Sequence, residues 1–537
     1  MSKKQLLLGD EAIAQGAIDA GASGFYAYPG TPSTEIMEYV QHSKQAEKRK
    51  IHRQWSANEK TAVEEAIGMS YAGKRTLAAM KHVGLNVAAD AFVNSGITGA
   101  NGGMLVVVAD DPSMHSSQNE QDSRFYGKFA MIPVLEPSNQ QEAYDMCFYG
   151  FEISEKFKTP VLLRITTRLA HSRSGVVRRE MKDQNEIKLP EDGRQYVLLP
   201  SISRKRYRKL IDRQKLFKEE SAASSFNKYY DGDDKSLGII ACGLGFNYVM
   251  ENFNNVPKHP VLKVCQYPAP RDKIKKIYDE CDQLLFVEEG QPLLEEMVRG
   301  FLDPDSKKIK GRMDETLSYD GELTPHSVRI ALGMESKAGS KIPEMVKSRP
   351  PAFCPGCPHI NSFEAINAAV KDVYGDGHVF SDIGCYTLSA QPPYESINSC
   401  VDMGASITMA KGAADAGLFP SVAVIGDSTF THSGITGLLD SSIENTNMVI
   451  FILDNSTTAM TGGQTSHAFG RLDALCKGLG VKEEHLRTIN PLPKNHDAFV
   501  KMIKEEIEYD GISVIIPTRE CVVTLSKKLR AKKKKNK

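Results

Sequence analysis

Short apolar runs that alternate with helix-forming stretches dominate the chain. In its first part, the runs GFYAYPG, RTLAAMKHVG, MLVVVADD and TPVLLRITT each precede or follow a helical pattern. Nearer the C-terminus, HVFSDIG, SVAVIGD, NMVIFILDN and ISVIIPT are almost wholly apolar. Strands of a parallel sheet have this composition because helices cover both faces of the sheet. The sequence therefore predicts an α/β fold built on parallel sheets.

Charged and proline-bearing stretches divide the chain into three predicted domains. The 537-residue length suits about three or four domains of ordinary size. We expect two larger α/β domains and a smaller α/β domain between them, joined by a charged linker that contains an exposed helix and by a second, shorter linker. The predicted order is domain 1–175, charged linker 176–235, smaller domain 236–333, linker 334–350 and domain 351–526.

Charge and hydropathy argue against nucleic-acid and membrane partners. The 67 Lys and Arg residues balance 67 Asp and Glu residues, so no broad positive face is expected. No apolar run is long enough to span a bilayer, and the N-terminus carries no signal-peptide cleavage pattern. We expect a soluble cytoplasmic protein, whose cysteines serve metal binding, redox chemistry or burial. The basic tail, residues 527–537, is predicted to be a solvated, disordered end.

Two polar side chains follow neighbouring predicted strands in the third domain. Gly426 and Asp427 come directly after the strand 422–425, and Asn455 closely follows the strand 448–453. In a right-handed βαβ unit both side chains emerge at the carboxyl edge of the sheet, where such sheets bind ligands. Carboxylate and amide oxygens suit Mg²⁺, which completes its octahedron with phosphate. The alternative is that both are ordinary turn residues.

Four cysteines could meet at the same sheet edge. Cys354 and Cys357 lie in FCPGCPHI, Cys385 in SDIGCYT and Cys521 in PTRECVV. Four thiolates suit either zinc or an iron–sulfur cluster, and the spacing alone leaves both open, although a zinc ribbon usually has a second CxxC. The remaining cysteines are predicted to be small buried hydrophobic residues: Cys147, Cys242, Cys265, Cys281, Cys400 and Cys476.

Seven motifs carry a resemblance that covers nearly the whole chain. In order they are YPGTPS, NEKTAVEEA, KHVGLNVAAD, FCPGCPH, SDIGCYT, MGASI and MTGGQ. Together they resemble the large (alpha) subunit family of the indolepyruvate ferredoxin oxidoreductases. The resemblance implies a pyrimidine-binding domain, a transketolase-C-like domain and a diphosphate-binding domain. It also implies oxidative decarboxylation of aryl 2-oxoacids to acyl-CoA, with release of CO2 and electron transfer through an iron–sulfur cluster.

The resemblance implies thiamine diphosphate, Mg²⁺ and one [4Fe-4S] cluster as cofactors. By that resemblance, the magnesium ligands would be Asp427, Asn455 and Thr457, and the cluster ligands would be Cys354, Cys357, Cys385 and Cys521. Further cofactor contacts are expected from Met403, Gly404, Gly426, Ser428, Thr461, Gly462, Gly463 and Gln464. With the thiamine site beside it, the cysteine set favours a cluster over zinc.

The first domain supplies the expected catalytic glutamate and a substrate-contacting threonine. The resemblance assigns Glu59 to the cofactor's aminopyrimidine, but Ser56 and Glu59 also fit a helix capping box. It assigns Thr31 to the substrate. The alternative is that Thr31 caps a helix in which Pro32 is the first residue.

Three further residues of this domain are substrate candidates. Lys81 and His82 follow an apolar strand and either meet the substrate or are ordinary surface residues. Arg124 matches a family arginine near the substrate and CoA. Its alternative role is a salt bridge on a helix face.

The resemblance also predicts partners. A small companion (beta) subunit is expected in a hetero-oligomer, with a 2-oxoacid and CoA as substrates. Family members normally end in a ferredoxin-like domain, whereas this chain ends in lysines after Cys521. We therefore expect electrons to pass to ferredoxin or to a separate electron-carrier subunit. The rival hypotheses are a non-oxidative thiamine-dependent decarboxylase or carboligase and a zinc-stabilised scaffold without catalysis.

Overall fold

A computed structural model describes residues 4–300, 308–336, 339–347 and 351–535 of the chain. It separates into two compact units, residues 1–340 and 341–537. Both units contain parallel sheets flanked by helices, so the predicted α/β fold is confirmed. None of the helices in these described ranges is long and apolar enough to cross a membrane.

The first unit contains three sheets. Its strands are β1 (Lys4–Leu8), β2 (Gly24–Ala27), β3 (His52–Trp55), β4 (Thr76–Lys81), β5 (Met104–Asp110), β6 (Val134–Leu135), β7 (Val161–Thr166), β8 (Arg173–Val177), β9 (Lys228–Tyr230), β10 (Leu237–Cys242), β11 (Val261–Val264), β12 (Gln266–Tyr267), β13 (Gln283–Val287) and β14 (Ile309–Lys310). The largest sheet has the order β12-β6-β7-β5-β4-β2-β3 and is parallel except at β12. A second sheet has the order β14-β13-β10-β11-β9, and β1 pairs with β8.

Helices cover these sheets. They are α1 (Gly9–Asp19), α2 (Thr34–His42), α3 (Lys44–Lys48), α4 (Glu59–Tyr71), α5 (His82–Thr98), α6 (Arg124–Ala130), α7 (Gln140–Phe157), α8 (Thr167–His171), α9 (Pro200–Ala223), α10 (Gly245–Asn252), α11 (Arg271–Glu280), α12 (Leu293–Arg299) and α13 (Pro325–Ala331). Strands β4, β5 and β7 are buried along almost their whole length, as their apolar composition predicts. The core of the first unit therefore lies on both faces of its largest sheet.

The boundary predicted before residue 236 lies inside the first compact unit. Strand β12, from the predicted smaller domain, joins the edge of the large sheet by pairing with β6. Helix α9 forms within the predicted charged linker, but Leu210 and Phe217 on one of its faces are buried in the core of the first unit. An exposed linker helix would leave both side chains in water, and burying them is favourable. The β12–β6 pairing and the buried face of α9 thus place the predicted linker and the predicted smaller domain in the same compact unit as the first domain.

The second unit is organised around one five-stranded parallel sheet. Its strands are β15 (Val379–Ser381), β16 (Val422–Gly426), β17 (Met448–Leu453), β18 (Thr457–Thr458), β19 (Gln464–Thr465), β20 (Leu486–Ile489) and β21 (Ile512–Pro517). The sheet order is β15-β16-β17-β21-β20, and β18 forms a small hairpin with β19. The helices are α14 (Pro358–Ile366), α15 (Asp372–Tyr374), α16 (Ala405–Asp415), α17 (Asp427–Thr429), α18 (Ile435–Ile443), α19 (Leu472–Gly478), α20 (His496–Glu508) and α21 (Val522–Lys535).

Within the described residues the basic tail is helical as far as Lys535, which corrects the expectation of a disordered end. Helix α21 begins at Val522, directly after Cys521, and continues through the lysine-rich segment to Lys535. Lysine is a good helix former, and positive charge near a helix C-terminus interacts favourably with the helix dipole. The side chains from Leu529 to Lys533 are exposed, as the composition predicted.

Candidate active site

Asp427 and Asn455 lie at the carboxyl ends of two adjacent parallel strands. Strands β16 and β17 are paired up to Gly426 and Leu453, and the two polar residues follow them. Asp427 is 2% exposed, and its Oδ2 forms no hydrogen bond within the described residues. Burial, together with the nearby carboxylate of Asp454, raises the pKa of Asp427 to about 7. A buried carboxylate oxygen without a donor is costly, and a hard cation such as Mg²⁺ would stabilise it.

The amide of Asn455 is oriented by its neighbours. Its Oδ1 accepts a hydrogen bond from the backbone N–H of Thr457 at 3.1 Å, and its Nδ2 lies 3.2 Å from Nε2 of His359. His359 is buried, and burial lowers its pKa to about 4, so the ring is neutral at pH 7 and accepts from Nδ2. An amide oxygen has a second lone pair. Asn455 therefore keeps one acceptor position for a cation.

Gly426 and Gly404 are tightly packed positions in the second unit. A Cβ at Gly426 would lie 2.6 Å from the ring of Tyr386. A Cβ at Gly404 would lie 2.6 Å from Cβ of Ser433, and Gly404 has a positive φ of +101°. Side chains at these positions would clash. Both positions are therefore packed too closely against Tyr386 and Ser433 to hold a larger side chain.

Asp382 holds the segment that contains Met403 and Gly404. Its Oδ2 accepts hydrogen bonds from the backbone N–H of Gly404 at 3.1 Å and from Oγ of Ser406 at 2.6 Å, while Tyr386 donates to its Oδ1. The side chain is fully buried, and burial raises its pKa to about 7. The sequence analysis missed Asp382, although it follows strand β15 in the same way that Asp427 follows β16.

The segment from Thr457 to Gln464 forms a closed turn. Thr457 Oγ1 donates to the backbone oxygen of Gln464 at 2.8 Å, Thr461 Oγ1 donates to Gln464 Oε1 at 2.7 Å, and Gln464 Nε2 donates to the backbone oxygen of Thr461 at 2.8 Å. Gly462 and Gly463 both adopt positive φ at its tip. The MTGGQ motif thus builds a turn whose positive-φ positions favour glycine.

Ser428 and Thr457 also lie at this edge. Ser428 Oγ is 2.7 Å from Oγ1 of Thr458, so it joins the start of α17 to the β18–β19 hairpin. Thr457 is buried, and its hydroxyl oxygen can accept a ligand bond while it donates to Gln464. Its role as a magnesium ligand stays a prediction.

The four predicted cluster cysteines line one cavity of about 130 Å³ in the second unit. Cys354, Cys357, Cys385 and Cys521 share this cavity with His359, Asn455, Gly462 and Gly463. The volume is about ten times the 10–15 Å³ that one water molecule needs. Because Asn455 lines this cavity and also lies at the carboxyl end of β17, the cavity adjoins the Asp427–Asn455 edge.

The four cysteine sulfurs are not gathered as tightly as the ligands of one bound zinc ion. A tetrahedral zinc with bonds of about 2.3 Å holds its sulfurs roughly 3.8 Å from one another. Within the described residues, no three cysteine sulfurs lie within 4.8 Å of each other. Burial, followed by the neighbouring thiols, raises the pKa of Cys385 to about 12 and that of Cys357 to about 11. At pH 7 both thiols are therefore neutral unless a cationic group binds them.

Glu59 lies at the carboxyl edge of the large sheet in the first unit. It is the first residue of α4, is 5% exposed, and packs so closely against α5 that a Cβ at Gly84 would lie 2.5 Å from its Oε1. The capping-box alternative is wrong, because Asn58 is the N-cap and accepts from the N–H of Thr61, while Ser56 donates to Glu65.

Lys81 and Thr31 lie at the same edge. Lys81 ends β4 and interacts electrostatically with Asp111 and Glu59, and burial lowers its pKa. Its Nζ donates to the backbone oxygen of Ser116 at 3.2 Å, and Ser116 Oγ donates to the backbone oxygen of Thr31 at 3.3 Å. The capping alternative for Thr31 is wrong, because α2 begins at Thr34 with Ser33 before it.

His82 and Arg124 are buried. His82 lies in the first turn of α5, with Nε2 3.1 Å from the backbone oxygen of Asn119. The Arg124 guanidinium contacts Asp122 at 2.5 Å, Glu288 at 2.9 Å and the Tyr267 hydroxyl at 3.1 Å. Arg124 therefore belongs to a buried ion cluster rather than to an exposed helix face, and its partners occupy the nitrogens that a substrate would need.

Sequence profiles of known families match both units. The profile described as "Pyruvate flavodoxin/ferredoxin oxidoreductase, thiamine diP-bdg" matches residues 15–207. The profile described as "Thiamine pyrophosphate enzyme, C-terminal TPP binding domain" matches residues 382–516, which include the Asp427–Asn455 edge. A solved 2-oxoglutarate:ferredoxin oxidoreductase from Magnetococcus marinus shares the fold, with a TM-score of 0.52 and 17% identity over 62% of this chain and 65% of that one. The fold and the profiles define a thiamine-diphosphate-dependent oxidoreductase of 2-oxoacids.

Curated relatives identify the family within this class. The chain is 39% identical to the indolepyruvate oxidoreductase subunit IorA of Archaeoglobus fulgidus, over 98% of this chain and 88% of that protein. It is 37% identical to the IorA subunit of Thermococcus kodakarensis, over 97% of this chain and 86% of that protein. The chain belongs to the indolepyruvate oxidoreductase subunit IorA family.

Proposed function

We propose that this protein is the catalytic subunit of an oxidoreductase that converts an aryl 2-oxoacid and CoA to an acyl-CoA and CO2, with electrons leaving through an iron–sulfur cluster. The observation that carries the proposal is the cavity shared by four cysteines and Asn455. A redox group in that cavity would lie beside the Asp427–Asn455 edge, where we expect the coenzyme to bind. The relatives at 36–39% identity, all named indolepyruvate oxidoreductase subunits, support an aryl substrate.

Residues of the second unit would hold Mg²⁺ and the diphosphate. Asp427 Oδ2 and Asn455 Oδ1 are the two oxygens with free acceptor capacity, and Thr457 offers a third. We expect further backbone contacts to the ligand from Gly404, Gly426 and the turn 461–464, whose glycines have no side chain to block its approach. Thiamine diphosphate, when bound, supplies the carbanion that attacks the 2-oxo carbon and the electron sink for decarboxylation.

Residues of the first unit would act on the proton and substrate side. We propose that the Glu59 carboxylate hydrogen-bonds the aminopyrimidine and that Lys81 and Thr31 bind the substrate carboxylate or carbonyl. Burial lowers the pKa of Lys81, while the nearby carboxylates of Asp111 and Glu59 favour its ammonium form. Such a placed cation would orient an anionic 2-oxoacid.

Electrons would pass from the cluster to ferredoxin or to a separate carrier subunit. The relatives are named as subunits, which supports a small companion chain in the working complex. The cysteine geometry favours a [4Fe-4S] cluster over zinc, because the sulfurs are spread over more than 4.8 Å around a sizeable cavity.

A substrate panel tests the proposed reaction. The protein should be purified without oxygen together with its companion subunit and assayed with CoA, a viologen dye and a set of 2-oxoacids. We expect arylpyruvates to reduce the dye and form acyl-CoA faster than pyruvate or 2-oxoglutarate, by about tenfold or more, if the acyl pocket is built for an aromatic ring. Release of CO2 without dye reduction would instead indicate a non-oxidative decarboxylase.

Two cysteine variants test the proposed iron–sulfur cluster. Cys385→Ala should lose most bound iron and the broad absorbance near ~400 nm that sulfide-to-iron charge transfer produces. Cys400 is exposed, so the prediction that it is buried is wrong, whereas the other five non-cavity cysteines are buried as predicted. Cys400→Ala is the matched control, because Cys400 lies in the same unit but is not among the residues that line the cavity. Equal iron content in both variants, or about one zinc and no iron in the native protein, would contradict the proposed cluster.

A further inference from the structure

Asp10, Glu35 and His171 form a cluster in the first unit that the proposed reaction does not use. Each side chain offers one ligand atom, and these three atoms lie within 4.8 Å of one another. Asp10 is in the first turn of α1, Glu35 in the first turn of α2 and His171 at the end of α8. The three ligands therefore come from three different helices.

The carboxylate of Asp10 is buried without a donor. Its side chain is 0% exposed, and neither Oδ1 nor Oδ2 forms a hydrogen bond with any residue that the structure describes. Burial, with Glu35 and Glu11 as neighbouring negative charges, raises the pKa of Asp10 well above its ordinary value. A proton on Asp10 would satisfy only one of its two oxygens, and only if Glu35 accepted the O–H, so the other buried oxygen would still have no donor.

Glu35 and His171 approach the same point without a strong mutual bond. Glu35 Oε2 lies 3.5 Å from Nε2 of His171, which is longer than an ordinary hydrogen bond. Both side chains are 35% exposed, so an ion could enter from solvent. The negative charges of Glu11 and Asp111, which act on Asp10 and His171, make the surroundings attractive to a cation.

We propose that Asp10, Glu35 and His171 bind a first-row divalent metal ion of the Zn²⁺ type. One imidazole nitrogen and two carboxylate oxygens are a ligand set that such ions accept, and the two carboxylates neutralise the ion's charge. The fourth position would be open to water. Helix α1 and helix α8 already touch, since a Cβ at Gly9 would lie 2.3 Å from the backbone oxygen of Leu169. The ion would join the start of α2 to this pair.

Metal content tests the site in the full-length protein. The wild type, His171→Ala and His115→Ala should be dialysed against the same low-micromolar ZnCl2 and analysed for zinc. The cysteines contribute equally to all three proteins, so we expect His171→Ala to hold about one zinc fewer per chain. His115→Ala should match the wild type, because His115 makes a similar 3.5 Å contact with Glu322 but has no third ligand among the residues that the structure describes.

Thermal unfolding gives a second readout. Excess Zn²⁺ over chelator should raise the Tm of the wild type by about 5 °C, and His171→Ala and Asp10→Asn should each lose this increment. If His171→Ala does not fold, Glu35→Gln replaces it. Equal zinc content in the wild type and the variant, with Asp10→Asn more stable whether or not zinc is present, would overturn the proposal and indicate a protonated carboxyl pair instead.

Discussion

Buried polar residues at a sheet edge of the first unit and at a sheet edge of the second unit differ in how their charges are matched. In the first unit, Arg124 and Arg164 are surrounded by acidic partners: Asp110, Asp122, Glu136 and Glu288. In the second unit, Asp427 has an acidic neighbour, Asp454, and an oxygen without a hydrogen bond among the described residues. After burial, the groups that raise the pKa of Cys385 there are the other three cysteines of the cavity.

This difference separates structural from ligand-binding polar groups. A buried charge with a bonded opposite charge completes the fold by itself, whereas an unmatched one is costly until a ligand supplies the missing charge. The charges of the Arg124–Arg164 cluster are therefore satisfied within the first unit, where Arg124 also joins α6 to Tyr267. The Asp427 edge instead keeps an unfavourable arrangement that a cation would relieve.

The largest change in stability is expected when an arginine is removed from the charge-matched Arg124–Arg164 cluster. Arg164→Ala would leave Asp110 and Glu136 buried without their guanidinium, and we expect a loss of about 3–5 kcal/mol in the free energy of unfolding. Arg168→Ala, which removes a partly exposed pair with Glu322, is the control and should cost less than about 1 kcal/mol. Denaturant titration measures both. Similar losses for the two variants would mean that burial does not distinguish these pairs.

At the unmatched site, removing a charge should stabilise the cofactor-free protein. The folded-state pKa of Asp427, about 7, lies above its unfolded value, so the cofactor-free protein loses stability as the pH rises from about 4 to 7. At pH 8 we expect Asp427→Asn to be more stable by about 2 kcal/mol.

The same variant should bind its coenzyme poorly. We expect Asp427→Asn to lose at least about 100-fold in magnesium-dependent affinity for thiamine diphosphate, measured by calorimetry. Asp440→Asn, in the neighbouring helix α18, is the control. Unchanged affinity would rule out Asp427 as a magnesium ligand.

The smallest effect is expected at Glu289, which lies beside the matched cluster but is held by neutral donors. Its Oε2 accepts from Thr166 at 2.9 Å and its Oε1 from the Tyr248 hydroxyl at 3.2 Å, and burial raises its pKa to about 6. Because the folded-state pKa is the higher one, its destabilising contribution grows between about pH 4.5 and 6. Glu289→Gln should thus gain ~1 kcal/mol relative to the wild type between pH 5 and 7.5. A pH-independent difference would contradict this assignment.

Much of the candidate site could be predicted where a polar residue follows an apolar run. Asp427, Asn455 and Lys81 were found in this way, because the carboxyl ends of parallel strands meet at one edge. Asp382 carries the same signal after the short strand β15 and was overlooked. His359 had no such signal, because its role depends on a contact with Asn455, 96 residues away.

Sequence patterns predicted the starting residues of helices poorly. Ser56 with Glu59, and Thr31 with Pro32, both satisfy the rules for helix starts, yet the helices begin at Glu59 and Thr34 with other capping residues. A start rule is satisfied at several adjacent positions, and packing of the helix against the sheet selects one of them.

By itself, the sequence determined the α/β class, the parallel strands of both units and the positions at which polar residues leave those strands, because apolar periodicity is a local property of the chain. Only the tertiary structure decided which buried polar groups have a partner of opposite charge or a hydrogen-bond donor. It placed Arg124 among carboxylates, brought four distant cysteines around one cavity and left Asp10 and Asp427 without hydrogen-bond donors for at least one buried oxygen among the described residues. Charge matching depends on residues far apart in the chain, so it is settled only when the elements pack.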